Sequence, residues 1–175
     1  MLAVRQLGWA PEAVVTNMAA ASRRSPFTGF LSNIGVLLMA VTAAICLFSA
    51  SLARRDAALF LAVGLFTTVL FADDFLMLHS DLMPNKLGLP KVAAYAFYVA
   101  AGAAIGWVWR RRLFRPRHLA LGLSLALLGL SVAVDVLAPE TRRALVLEEG
   151  AKFVGYALWC AYWVSRAHGA VRAAR

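Results

Sequence analysis

The sequence predicts an all-α integral membrane bundle of about five transmembrane helices joined by short loops. Three observations carry that reading. Of 175 residues, 62% are hydrophobic, and the mean hydropathy is +0.72. Charged residues make up 15% of the chain, against roughly 25% in soluble domains. The apolar residues also fall in five stretches of about 20, the length that crosses a bilayer core at helical rise. A soluble globule could not bury so many apolar residues in unbroken runs. Nor is this a disulfide scaffold, because its two cysteines, Cys46 and Cys160, both lie within apolar runs and form no CxxC motif.

Residues 1–28 form an N-terminal extension. Arg5, Gly8, Pro11 and Glu12 interrupt any h-region of signal-peptide type. Pro11-Glu12 followed by residues 13–22 fits either a short interfacial helix or a loosely ordered segment. The transmembrane domain covers 29–165, with spans expected at 29–53, 57–79, 92–109, 119–137 and 144–165. Residues 166–175 are a basic tail. Pro84, Pro90 and Pro139 fall in the connections, where a missing backbone donor costs least. Trp107, Trp109, Trp159 and Trp163 sit toward span ends and are expected at the membrane interface. Gly102 and Gly106 form a GxxxG that permits close helix approach.

The net charge of +9 does not point to nucleic acid, because the cations cluster in gaps between apolar runs. Threading five spans places seven cations on the face with the N-terminus and ten opposite; Arg110, Arg111, Arg112, Arg115 and Arg117 supply half of the ten. That asymmetry orients the N-terminus outside and the C-terminus in the cytoplasm, as in a bacterial inner membrane protein. The basic third loop serves as a topological anchor or as a lipid headgroup site. Five helices make a thin bundle, so a homo-oligomer is expected, and a partner protein fits the same reasoning.

The acids say more. Antiparallel threading brings the end of span two, the end of span four and the start of span five to one membrane face. Asp73, Asp74, His79, Asp135, Glu148 and Glu149 therefore share one leaflet. Ionised carboxylates are costly there unless a proton or cation compensates them. Lys152, four residues after Glu148 and three after Glu149, is the expected internal counter-charge. Helical spacing predicts polar stripes at Gly35, Thr42, Cys46 and Ser49; at Thr67, Asp74 and Asp81; at Ser124, Ser131 and Asp135; and at Lys152, Tyr156, Trp159 and Trp163, all meeting at the bundle axis. His79 is turned about 140° from Asp74 on an ideal helix and joins the cluster only if that helix unwinds.

Several chemistries fail on residue content. Paired axial histidines for haem, a Gly-rich phosphate loop and a GxSxG nucleophile are all missing. The stretch DDFLMLHSD resembles intramembrane zinc hydrolases of the alkaline ceramidase superfamily, but the HxxxH that those enzymes carry near the C-terminus has no counterpart here. The reading best supported is a protein that binds and conducts or translocates a cation, a proton or a metal ion. Asp73, Asp74, Asp135, Glu148 and Glu149 would act as ligands or relays, with Lys152 as the charge-balancing gate. A divalent metal held by Asp73, Asp74, His79 and Glu149 is the expected cofactor if one is bound. With such a metal the protein would instead be a lipid hydrolase. The remaining alternative is an accessory subunit whose acids only lock helices together.

Overall fold

The computed structural model describes residues 29–78, 83–113, 119–139 and 141–173. They form helices α1 (Phe30–Leu52), α2 (Ala57–Leu76), α3 (Met83–Leu87), α4 (Lys91–Val108), α5 (Arg110–Leu113), α6 (Leu119–Leu137) and α7 (Arg142–Arg172), with no strand among the described residues. From Leu31 onward the chain is one compact unit. The expected N-terminal extension lies outside the described residues, as do His79, Asp81 and the loop residues 114–118.

Four helices, α1, α2, α4 and α6, are long and apolar enough to cross a bilayer. They make the chain an integral membrane protein. The fifth expected span, 144–165, falls within α7. α7 is the longest helix, at 31 residues, yet it is not among those four. Glu148, Glu149, Lys152 and Arg166 make it too polar to lie against lipid on all sides. It occupies the core instead: Ala151, Gly155, Tyr156, Trp159, Tyr162, Trp163 and Ala167 are all buried. Thr141 starts it, its hydroxyl accepting from the Ala144 N–H at 3.2 Å, which satisfies one of the helix's first unpaired donors.

Small residues set the packing distances around α7. A Cβ added at Gly155 would stand 2.8 Å from the Leu128 side chain, so α6 and α7 approach closely there. Beside that contact the buried Ser124 hydroxyl donates to the Gly155 carbonyl at 2.8 Å. Gly64 of α2 plays the same part against Leu47 of α1, and Gly35 of α1 lies against the Tyr156 ring. Gly102 of the GxxxG faces Phe66 of α2, whereas Gly106 has no atom near its Cα–H. The motif is thus partly used within the chain.

The expected stripes do face inward. Gly35, Thr42, Cys46, Ser49, Thr67, Ser124 and Ser131 are buried. Two of the expected interfacial tryptophans are not interfacial. Trp159 and Trp163 are core residues, 6% and 1% exposed, because α7 continues well past residue 165. Both pack edge-on, Trp163 against Phe60 and Tyr162, and Trp159 against Phe66. Trp107, at 69% exposure, does occupy a span end. α2 is shorter than expected: it closes at Leu76, where Met77 adopts the left-handed conformation at φ 52° and its N–H caps the Asp73 carbonyl. Asp74 is therefore only two residues, about 3 Å, from the helix end.

Candidate functional site

At the acidic end, four helices contribute rather than the three expected. α2 brings Asp73 and Asp74 in its last turn, α6 brings Asp135 one turn from its end, and α7 brings Glu148, Glu149 and Lys152 in its first three turns. The fourth contributor is α4, which begins Lys91-Val-Ala-Ala-Tyr95-Ala-Phe-Tyr98. Spacings of four and three put Lys91, Tyr95 and Tyr98 on one face, and that face meets the acids.

Each in-span aspartate has a tyrosine. The Tyr156 hydroxyl donates to Asp74 Oδ2 at 2.5 Å. Tyr95 donates to Asp135 Oδ2 at 2.7 Å. Tyr98 is joined to Asp73, which is 3% exposed, by a side-chain hydrogen bond. Two ammonium groups complete the set. Lys152 Nζ lies 3.3 Å from Glu149 and 4.0 Å from Asp74, so it bridges α7 and α2. Lys91 Nζ contacts both a carboxylate oxygen and the carbonyl of Asp135, each at 3.1 Å. Lys152 is therefore not the sole counter-charge, a correction to the sequence reading. Glu148 stands near Lys152, Asp135 and Glu149. Tyr156 lies on an expected inward stripe, whereas Tyr95 and Tyr98 carry no charge to mark them. The signal was the spacing of Lys91, Tyr95 and Tyr98.

The metal expectation meets a different arrangement. Among the described residues no three His, Cys, Asp or Glu side chains converge to hold a metal ion. Asp73, Asp74 and Glu149 are engaged with Tyr98, Tyr156 and Lys152, and His79 lies outside the described residues.

α7 runs from this cluster to the opposite end of the bundle. Lys152, Tyr156, Trp159, Trp163 and Arg166 follow at three- and four-residue steps, one continuous helix face. From Glu149 to Arg166 the rise is about 26 Å, close to the thickness of the hydrocarbon core. Midway, the Trp159 indole N–H donates to the Thr67 hydroxyl at 3.2 Å. At the far end Arg166 reaches Asp56 at 3.8 Å, and Arg112 holds the same carboxylate at 2.6 Å. Arg112 also donates to the Arg55 carbonyl, and Arg166 to the Arg112 carbonyl, at 3.0 and 3.3 Å. This second cluster ties α7 to the α1–α2 and α4–α5 turns.

The model of one protein family, described as a domain of unknown function (DUF8692), matches residues 1–166. The chain belongs to this family. No curated protein and no solved structure matches it. The DUF8692 match takes in the whole acidic cluster and ends on Arg166, so both charged ends of the α7 face fall inside the family's boundaries.

Proposed function

We propose that this DUF8692 protein translocates protons across the membrane, loading them at the acidic cluster of α2, α4, α6 and α7. The observation that carries the reading is the placement of Lys152 between Glu149 and Asp74, with the Tyr156 hydroxyl on Asp74. Five in-span carboxyls, Asp73, Asp74, Asp135, Glu148 and Glu149, face two ammonium groups, Lys91 and Lys152. At such depth an excess of three negative charges is unfavourable, and protons are the simplest compensation. Carboxyl and phenol groups both donate and accept, so Glu149, Lys152, Asp74 and Tyr156 form a chain along which a proton can step.

A proton is favoured over a divalent metal by the tyrosines. Ca²⁺ or Mg²⁺ needs about six oxygen ligands, and the Asp74 and Asp135 carboxylates each already accept a phenol proton. Beyond Tyr156 the route follows the buried hydroxyls of Thr67, Thr42 and Ser49 past the Trp159–Trp163 block. Asp56 and Arg166 form the exit in this reading, and the arginine excess beside them supports a cytoplasmic exit.

The test is proton flux in liposomes clamped by potassium and valinomycin, with an internal pH dye. Asp74→Asn and Lys152→Met should each abolish flux while the protein still elutes as a single folded species. Flux equal to the unmodified protein in Asp74→Asn overturns the proposal. A second reading is favoured for one residue. Among the described residues α4 buries only Ala94, and the Lys91–Tyr95–Asp135 set ties it to α6. Asp135 in this reading is a helix tie, and Asp135→Asn should lower stability more than flux.

A further inference from the structure

The arginine end of the bundle carries more charge than its ion pairs use. Arg54, Arg55, Arg110, Arg111, Arg112 and Arg166 gather there, and Asp56 is their one carboxylate partner among the described residues. Arg112 and Arg166 consume it. Arg110 is held in place without an acid: its guanidinium lies 4.4 Å above the Trp107 ring and donates to the Trp107 carbonyl at 3.1 Å. Arg111 has no hydrogen bond or ion pair among the described residues.

A cavity of about 400 Å³ opens at this point, lined by Val108, Trp109, Arg110, Arg111 and Arg112, within the size range of small-molecule sites. Its walls are of two kinds. Val108, 64% exposed, ends the membrane-spanning α4 and with Trp109 is apolar, while Arg110, Arg111 and Arg112 present guanidiniums. The boundary between them falls where hydrocarbon gives way to headgroups. We propose that this cavity binds the phosphate of an anionic phospholipid, with Arg110 and Arg111 on the phosphate oxygens and an acyl chain along Val108 and Trp107. A topological anchor needs only charge. Here Arg110 is already held over Trp107 and the cavity wall at Arg112 by Asp56 and the Arg55 carbonyl, so Arg110 has little side-chain freedom to lose on binding. Arginine also matches a phosphate with two parallel N–H donors.

The experiment is native mass spectrometry of the purified full chain in a neutral detergent. It is titrated with phosphatidylglycerol, with phosphatidylcholine and with inorganic phosphate. Phosphatidylglycerol should stay bound and phosphatidylcholine should not. In Arg110→Gln/Arg111→Gln its affinity should fall roughly thirtyfold, and in Arg111→Gln alone about fivefold. Since Arg111 makes no hydrogen bond or ion pair among the described residues, the single variant should keep the fold whatever the double variant does. Arg54→Gln/Arg55→Gln removes the same charge outside the cavity and should leave binding unchanged. The proposal is overturned by equal retention of phosphatidylcholine. Equal losses in the two double variants, which would mean a diffuse surface potential, overturn it too. So does inorganic phosphate displacing the lipid at matched concentration.

Discussion

The two ends of the bundle solve opposite electrostatic problems. At the acidic end, carboxylates lie within the spans and are met by neutral phenols and two ammoniums drawn from α4 and α7. At the arginine end, a single carboxylate at a turn is gripped by two guanidiniums, and cations are in excess. An excess of negative charge at depth can be relieved by protons, which come and go. An excess of positive charge at the surface can be relieved by anionic lipid or counter-ions without any group changing its protonation. Under the proposed function, the difference puts proton loading at one end and lipid contact beside the proton exit at the other.

The largest effect should come from Lys152→Met. It strands Asp74 and Glu149 without their ammonium, and breaking a buried ionic set from one side costs about 3 kcal/mol or more. Unfolding in mild detergent would measure it, and adding Asp74→Asn in the same chain should restore part of the loss. Tyr156→Phe comes next, at about 1.5–3 kcal/mol for a hydrogen bond to a carboxylate. A loss no greater than that of Tyr162→Phe would show that the Asp74 contact contributes nothing special. Trp159→Phe keeps the aromatic packing and removes only the bond to Thr67, so about 1 kcal/mol is expected from the same unfolding curves.

Asp56→Asn should be the mildest, under about 1 kcal/mol, because its partners are partly exposed and screened. Salt sharpens the contrast. Raising ionic strength should erase the Asp56→Asn difference and leave that of Lys152→Met nearly intact. If both shrink together, the acidic cluster is as wet as the arginine end, and the contrast between the ends fails.

Most of the architecture was legible because span length and apolar periodicity are local properties. The inward stripes at Thr42, Thr67, Ser124 and Tyr156 could be read by the same logic, since a polar residue in a span turns away from lipid. What escaped were pairings across helices. Nothing local says that Tyr95 meets Asp135, 40 residues away, or that Tyr98 meets Asp73. Lys91 looked like a loop cation because it precedes the apolar run, yet it begins α4 and points back at α6. The placement of Trp159 and Trp163 was misjudged for a related reason. Their distance from the interface depends on where α7 ends, and its polar sequence concealed seven more helical residues beyond 165.

The helix that organises this bundle is also the one the ribosome makes after the other four. α2 and α6 leave the ribosome ahead of it, carrying polar side chains whose partners lie later in the chain. Asp74 then waits in the membrane without Tyr156 or Lys152, and Thr67 waits without Trp159. A chain stopped short of Glu148 would keep the partners that α4 gives Asp73 and Asp135 but leave Asp74 without Tyr156 and Lys152, a natural substrate for membrane quality control.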